Sequence, residues 1–265
     1  MRPPQSFAQH ETPDGELWLA PGFESVVEDL GLERRERWDE LVSAGIPAGR
    51  GRVAFVESAG RAVAIKKLRR GGRLGGWWRD RFPSRSRLFA NLALPTLARD
   101  RGVPTPKPLA LLVVPGPPLL CRGWFALERV PGAVDLIRRV RERPPSGDEW
   151  ARIFAEVRRL HEVGIEHPDL NLGNMMIDAE GKAWVIDHDR CRASDAPLGA
   201  DDRIDAIRRI ERSYHKTCSQ AGLEPDPAID WLALYDAPDA ALGKRWDQRA
   251  ASDRARLERH RRAWH

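Results

Sequence analysis

The feature that constrains this chain most is the polar segment HPDLNLGN at residues 167–174. A stretch with helical spacing of apolar residues precedes it. Two short apolar stretches, residues 175–177 and 183–186, follow it and are typical of a pair of strands, and the second of them ends at Asp187. The order is therefore a helix, an H-x-D-x-x-x-x-N loop, a hairpin and an acidic residue.

This order suits phosphoryl transfer, which needs a carboxylate to orient the attacking hydroxyl and oxygen ligands to hold Mg²⁺ on the phosphates. We expect Asp169 to accept the hydroxyl proton, and Asn174 and Asp187 to ligate Mg²⁺. His167, which opens the motif, is grouped with Asp169 as a predicted catalytic residue. Each of these residues alone is as readily a turn or strand-end residue. Their order, with the flanking helix and strands, favours a phosphotransferase loop.

A second set of candidates lies upstream, in a predicted hairpin whose strands include residues 53–56 and 62–65. Gly49 and Gly51 precede the first strand, and glycine lets backbone N–H groups approach phosphates, although a plain turn explains these two glycines better when they are taken alone. Lys66 ends the apolar strand Val-Ala-Ile-Lys, where a phosphate-pairing lysine is expected. The alternative for Lys66 is a solubilising lysine on an edge strand.

Strands come first along the chain and helices later, which predicts an α+β fold of two lobes. We expect residues 1–45 to be a variable N-terminal extension, 46–130 an antiparallel-sheet lobe and 131–265 a mainly helical lobe, with a hinge near 128–132. A short helix is expected over 88–94, ended or kinked by Pro95. Ser146 and Glu149 fit a capping box. The helix that follows should bury one apolar face, consisting of Trp150, Ile153, Phe154, Val157 and Leu160.

Composition restricts the kind of partner and the cellular compartment that we expect for this chain. The formal net charge of +5 favours an anionic partner. Three scattered cysteines without a C-x-x-C pair argue against a disulfide framework or a zinc ribbon. Neither a signal sequence nor an apolar run of about 20 residues is present. We therefore expect a cytoplasmic protein, soluble or peripheral to a membrane.

The basic segment at residues 66–87 is interrupted by glycines and a pair of tryptophans. Trp is favoured at membrane interfaces and Arg attracts anionic lipid, so the segment is predicted to dock a membrane or an anionic glycolipid. A plain solvated surface is the alternative, and no nucleic-acid motif is present. The predicted docking residues are Arg69, Arg70, Arg73, Trp77, Trp78, Arg79 and Arg81.

Together these motifs resemble the protein-kinase-like superfamily and, within it, the lipopolysaccharide core kinases of the 3-deoxy-D-manno-octulosonic acid (Kdo) kinase group. The narrower resemblance depends on GRG at 49–51, RRGG at 69–72, VPTPKP at 103–108, and HPDLNLGN with IDHDR at 186–190. It covers roughly residues 46–216.

The resemblance implies a bilobal kinase-like fold, ATP with Mg²⁺, and phosphorylation of a Kdo hydroxyl on a lipid A precursor at the cytoplasmic face of the bacterial inner membrane. It implies the catalytic base at Asp169, metal ligands at Asn174 and Asp187, and phosphate binding at Lys66. A heptose or other small-molecule kinase of the same fold is the alternative. A pseudokinase that binds nucleotide or anionic lipid without catalysis is the alternative outside the enzyme class.

Two positions depart from the family pattern. Asn91 stands where a glutamate is expected to pair with the strand lysine, and residues 81–99 contain no acidic residue. Pro168 replaces the arginine that regulated protein kinases carry in this loop. Without that arginine, a phosphorylated activation loop has no evident partner, which favours a small-molecule or glycolipid kinase.

Overall fold

The computed structural model describes residues 1–48, 51–69, 80–116, 120–235, 242–249 and 258. The chain divides into two compact units. The first contains Met1–Arg99 and Pro106–Pro131, and the second contains Asp100–Thr105 and Gly132–His265.

The first unit is built on an antiparallel sheet, whose seven described strands run in the order β1-β2-β6-β7-β5-β4-β3. Its strands are β1 (Ala8–Glu11), β2 (Glu16–Leu19), β3 (Ile46–Ala48), β4 (Gly51–Ser58), β5 (Arg61–Lys67), β6 (Pro108–Gly116) and β7 (Leu120–Glu128). Its helices are α1 (Glu24–Leu30), α2 (Arg35–Ala44) and α3 (Arg85–Asp100). The predicted hairpin is confirmed as β4 and β5, joined by a tight turn.

Alternation along the strands gives the sheet two apolar faces, each covered by helix. On one face, Val63, Ile65 and Trp124 pack with Trp38 of α2 and Val26 of α1. The other face carries a second cluster that includes Leu88 and Leu92 of α3, with Leu68 and Phe125 from the sheet. Neighbouring residues of β5 therefore lie on opposite faces of the sheet, so Lys66 and Lys67 have different surroundings.

Residues 1–45 supply β1, β2, α1 and α2 to this unit. Leu17, Phe23 and Trp38 are at most 1% exposed, and Trp38 donates its indole N–H to the carbonyl oxygen of Leu32. These apolar side chains bind the segment to the sheet. The segment belongs to the first compact unit, although its sequence has no chemical motif.

Helix α3 is longer than the sequence predicts and continues for five residues beyond Pro95. Proline removes one backbone donor from the helix. Leu88, Leu92, Leu94 and Ala98 are nonetheless at most 3% exposed, and burial of this face outweighs the single lost hydrogen bond.

The second unit is mainly helical. Its helices are α4 (Leu136–Glu142), α5 (Gly147–Glu162), α6 (Ala200–Ala221) and α7 (Trp231–Tyr235), and residues 242–249 are also helical. Its strands are β8 (Val134–Asp135), β9 (Ile165–Glu166), β10 (Met175–Ile177), β11 (Ala183–Val185) and β12 (Arg192–Ala193). Two 3₁₀ turns, Leu172–Asn174 and His188–Arg190, complete the described elements.

Helix α5 confirms both predictions made for it. Ser146 accepts a hydrogen bond from the backbone N–H of Glu149, and the Glu149 carboxylate accepts one from the N–H of Ser146. Each residue of the predicted apolar face is buried. The helix ends at Glu162, and two residues later Gly164 has a φ of +76°, where an added Cβ would meet the carbonyl oxygen of Ser194 at 2.4 Å. This glycine turns the chain towards residues 167–174.

Burial of His161 makes stability depend on pH. The ring of His161 is 0% exposed and lies 2.9 Å from the Tyr235 hydroxyl. Burial, reinforced by the charges of Arg203 and Arg209, lowers the pKa of His161 to about 3. The unfolded chain takes up this proton near pH 6.5. Stability is therefore complete above pH 6.5 and declines by up to about 1.4 kcal/mol per pH unit as pH falls towards 3. His161→Gln should flatten this slope in urea unfolding measured from pH 7.5 to pH 5.

Candidate active site

The loop at residues 167–174 is fixed in the second unit by buried leucines. Leu170 and Leu172 are both 0% exposed, whereas the side chain of Asp169, directly before them, is 49% exposed. The backbone N–H of Leu172 donates to the Ser213 hydroxyl of α6 at 3.2 Å. These buried leucines fix the backbone directly after Asp169, while its carboxylate stays accessible to solvent.

Two asparagines hold the backbone of Asp169. Asn174 donates its amide N–H to the carbonyl oxygen of Asp169 at 2.9 Å, and Asn171 donates to the same oxygen at 2.6 Å. Because that acceptor is a carbonyl, the Asn174 nitrogen must face it. The Asn174 amide oxygen is then turned away from this contact, in keeping with its predicted role as a hard ligand.

The ring of His167 connects the loop to the strand end that carries Asp187. His167 is 2% exposed, and its Nε2 donates to the carbonyl oxygen of Ile186 at 3.0 Å. Burial lowers the pKa of His167, and the Ile186 carbonyl and the carboxylates of Asp187, Asp169 and Asp189 oppose that shift. The ring is therefore neutral, with its proton on Nε2.

Asp187 adopts a left-handed backbone conformation, with φ 65° and ψ 52°. Among the described residues other than glycine, only Ala59 shares a positive φ. This conformation is uncommon for a residue with a side chain, and such strain persists where the surroundings enforce it. The N–H of Ile186 donates to the carbonyl oxygen of Asn174 at 2.9 Å. The structure thus brings His167, Asp169, Asn174 and Asp187 together.

Three contacts in this unit were missed by the sequence reasoning. Ser213 and Thr105 act on the backbone of the loop and of β11, since Thr105 donates to the carbonyl oxygen of Val185 at 3.1 Å. Arg190 places Nη1 3.3 Å from Oδ2 of Asp169. Serine and threonine carry no motif here, and a sequence search has no signal for them. Arg190 was visible within the IDHDR segment.

In the first unit, Lys66 lies on the α3 face of the sheet. Its strand neighbours in register are Val53 on β4 and Phe125 on β7, and its Nζ lies 5.9 Å from the Phe125 ring centroid. Two residues earlier, Ala64 lies between Phe55 and Leu127 in the same way. The lysine thus stands at the end of a strip of apolar side chains, of which Phe55 is 45% exposed.

Lys67 lies on the opposite face and has structural partners. Its Nζ lies 3.3 Å from Oδ1 of Asp39 and 3.3 Å from Oδ2 of Asp80. It also lies 4.7 Å from the centroid of the Trp124 ring, and that indole donates to Asp39 at 3.0 Å. The two adjacent lysines therefore differ in surroundings, as alternation along β5 requires.

Asn91, at the position expected for a lysine-pairing glutamate, is 6% exposed. Its amide donates to the carbonyl oxygens of Arg87 and Leu88 within α3 itself. Gly51 begins β4, and a Cβ there would make only ordinary contact with the Arg69 side chain, at 3.5 Å. The fold therefore does not require glycine at this position.

Several predicted residues lie outside the described part of the chain. They are Gly49, Arg70, Arg73, Trp77, Trp78 and Arg79. Of the predicted docking residues, Arg69 is exposed and Arg81 is partly exposed. Within the described residues, no helix is long and apolar enough to cross a membrane. Binding to a membrane surface stays a prediction.

Comparison with known proteins shows which family this chain belongs to. A model of the lipopolysaccharide kinase (Kdo/WaaP) family matches residues 38–237. The chain belongs to that family. A 3-deoxy-D-manno-octulosonic acid kinase from Vibrio cholerae is 31% identical over 183 residues, which are 68% of this chain and 76% of the relative. The enzyme of the same name from Vibrio parahaemolyticus is 30% identical over 206 residues, 73% of this chain and 82% of the relative.

A solved structure described as WaaP in complex with acyl carrier protein shares the fold. It aligns with a TM-score of 0.56 at 20% identity, over 94% of this chain and 99% of its own. This likeness, with the antiparallel sheet of the first unit and the helices of the second, confirms the predicted α+β, protein-kinase-like fold. Membership of the Kdo/WaaP family makes the chain a kinase, a phosphotransferase with an alcohol group as acceptor.

Proposed function

We propose that this kinase transfers the γ-phosphoryl group of ATP to a hydroxyl of Kdo on a lipid A-linked sugar acceptor. The observation that carries the proposal is the geometry of the loop in the second unit. There the carboxylate of Asp169 is half-exposed, while the backbone carbonyl of the same residue accepts a hydrogen bond from Asn174. The named relatives are Kdo kinases, which supports the choice of acceptor.

In this proposal Asp169 orients the acceptor hydroxyl and accepts its proton. The acceptor oxygen then forms a bond to the γ-phosphorus, the bond from that phosphorus to the bridging oxygen breaks, and ADP leaves. His167 is a positioning residue, because its buried ring holds the carbonyl of Ile186 next to Asp187. Asp169 is then the group that contacts the reacting atoms.

The residues present fit a magnesium ion. The candidate donors are the Asn174 amide oxygen and the Asp187 carboxylate, and Mg²⁺ is commonly held by one or two carboxylates together with substrate phosphates and water. When bound there, Mg²⁺ would offset negative charge on the phosphates. The left-handed backbone at Asp187 agrees with a carboxylate held in a required direction.

The nucleotide is assigned to the Lys66 face of the first unit. The strip formed by Val53, Phe55, Ala64 and Leu127 offers apolar surface of the kind that packs against a base. Lys66 at its end offers an ammonium group for the phosphates. Gly51 accepts a Cβ without conflict in the fold, so its glycine agrees with a phosphate-approach role.

The two neighbouring lysines provide a matched test of this assignment. Lys66→Met should raise the KM for ATP, or lower kcat/KM, by about 10- to 100-fold, the range for loss of a charge-assisted contact. Lys67→Met should leave the KM for ATP near the parent value and lower the free energy of unfolding by about 1–2 kcal/mol, because it removes ion pairs and a cation–π contact. Steady-state kinetics and urea unfolding separate the two. Equal effects of both changes on ATP would contradict the assignment.

The acceptor is tested with labelled ATP, Mg²⁺ and a Kdo-bearing lipid A precursor, with heptosylated core as the competing acceptor. We expect label on the Kdo-bearing precursor that is retained when heptose is absent. Label only on the heptosylated core would move the proposal to a heptose kinase. Nucleotide binding without transfer to either acceptor would favour the pseudokinase.

A further inference from the structure

The ion pair between Arg190 and Asp169 stands beside the proposed reacting atoms. Nη1 of Arg190 lies 3.3 Å from Oδ2 of Asp169, and the two side chains are 54% and 49% exposed. An acceptor hydroxyl that reaches Asp169 must therefore come next to this guanidinium. The contact is made through one nitrogen, and a guanidinium has five N–H donors in a planar fork that suits a second carboxylate.

The backbone of Arg190 is held on both sides. It ends the 3₁₀ turn that begins directly after Asp187, and the N–H of Cys191 donates to the carbonyl oxygen of His188 at 2.9 Å. The next residues form β12, which pairs with β9 through Arg192 and Glu166. Cys191 is 7% exposed. The guanidinium therefore projects from a fixed point, three residues after a proposed metal ligand.

Several carboxylates lie near the loop that carries Asp169. Asp169, Asp187 and Asp189 all act on the ring of His167, so three carboxylates share one region of the second unit. The relatives' names describe the sugar as an acid, and an octulosonic acid carries a carboxylate at neutral pH. A cation next to Asp169 would favour binding of such an acceptor through the acceptor's own carboxylate.

The size of one sugar residue restricts the position of a cationic side chain that could bind its carboxylate. The carboxylate and the hydroxyls belong to a single sugar residue, so the group that binds the acid must lie close to the group that takes the proton. Arg190 meets this condition through its contact with Asp169. Arg192 is directed elsewhere, since its Nη1 lies 3.5 Å from Oε2 of Glu166 and its side chain is 80% exposed.

We propose that Arg190 is an acceptor-specificity residue, which binds the carboxylate of the sugar acid while Asp169 receives the proton of its hydroxyl. This inference rests on the proposed function, because it presumes a sugar-acid acceptor. It assigns the selection of a charged sugar over a neutral one to a residue outside the H-x-D-x-x-x-x-N loop.

The test compares a soluble Kdo-bearing acceptor with its carboxamide, which lacks the charge. In the parent protein, the amide should have a KM about 10- to 100-fold higher than the acid, as expected for loss of a charge-assisted contact. Arg190→Gln should raise the KM of the acid acceptor by a similar factor and leave that of the amide within about twofold. The KM for ATP should not change. Arg190→Lys should recover part of the loss, because it restores the charge without the fork.

Arg192→Gln is the matched control and should leave the preference for the acid intact. Binding of both acceptors in the presence of a non-hydrolysable ATP analogue repeats the comparison without turnover. If Arg190→Gln lowers kcat equally for acid and amide, Arg190 acts only on Asp169 and the inference is overturned. A parent protein that does not distinguish acid from amide overturns it as well. Failure of the parent on both acceptors would instead overturn the proposed function, and this inference with it.

Discussion

Asp169→Asn should lower kcat for phosphoryl transfer by about 10²–10⁴-fold, the range for loss of a positioned general base. The amide has the shape of the carboxylate but cannot accept the hydroxyl proton. The fold should survive, because Asn171 and Asn174 bind the backbone carbonyl of Asp169 and not its side chain. The ion pair with Arg190 is half-exposed, so its loss should change stability by less than about 1 kcal/mol.

Single-turnover transfer of labelled phosphate and nucleotide binding measure the two halves of this prediction. Binding of ATP should stay near the parent value while transfer is lost. Asp178→Asn is a suitable control from the same unit, because Asp178 accepts hydrogen bonds from the backbone of Glu180 and Lys182 in the β10–β11 turn. An Asp169→Asn protein that transfers phosphate at the rate of the Asp178→Asn protein would show that the base lies elsewhere.

The sequence predicts those parts of the candidate site that depend on near neighbours in the chain. The loop at 167–174 and the two strands after it are local, and their order is readable because each residue type has a short-range structural reason. The Ser146–Glu149 capping box is local in the same way. Contacts between distant segments have no such pattern. The hydroxyl of Ser213 supports a loop 41 residues earlier, and Thr105 supports a strand 80 residues later.

Helix α3 and the N-terminal segment show a second limit on what can be predicted from the sequence. Pro95 is a sound reason to end a helix in isolation, yet the buried leucines around it carry the helix on to Asp100. Residues 1–45 have no chemical motif, and their contribution to the first unit depends on apolar side chains such as Phe23 and Trp38 meeting a sheet formed by later strands. In both cases packing decides, and packing depends on partners that are remote in sequence.

The side of the sheet on which a strand residue lies can be predicted only in part from the sequence. The sequence places Lys66 at the end of an apolar strand, but alternation alone does not say which of two adjacent lysines serves a ligand. The structure resolves the pair, because Lys67 has Asp39, Asp80 and Trp124 as partners on the α2 face. Lys66 shares its face with Val53, Phe55 and Phe125.

Asp187→Asn should weaken magnesium-dependent ATP use by about 10²-fold or more, since the carboxylate is the charged protein ligand proposed for the ion and a metal supplies several kcal/mol of charge stabilisation. Metal-free ATP binding should change far less. Asparagine is the informative replacement because it tolerates the left-handed backbone at φ 65°. Titration of ATP with and without Mg²⁺, followed by kinetics over a range of Mg²⁺ concentrations, measures the difference.

The backbone at Asp187 allows the loss of the carboxylate to be separated from the strain of its position. Asp187→Gly and Asp187→Asn both remove the carboxylate and both fit a positive φ, whereas Asp187→Ala also removes the carboxylate but costs about 1–2 kcal/mol of conformational strain. If the carboxylate holds Mg²⁺, all three variants should lose magnesium-dependent ATP use to a similar degree, and only the alanine variant should unfold at clearly lower urea concentration. Equal losses with and without Mg²⁺ would place Asp187 outside the metal site. A loss confined to the alanine variant would assign to Asp187 a backbone role, because the charge would then be dispensable while the conformation is not.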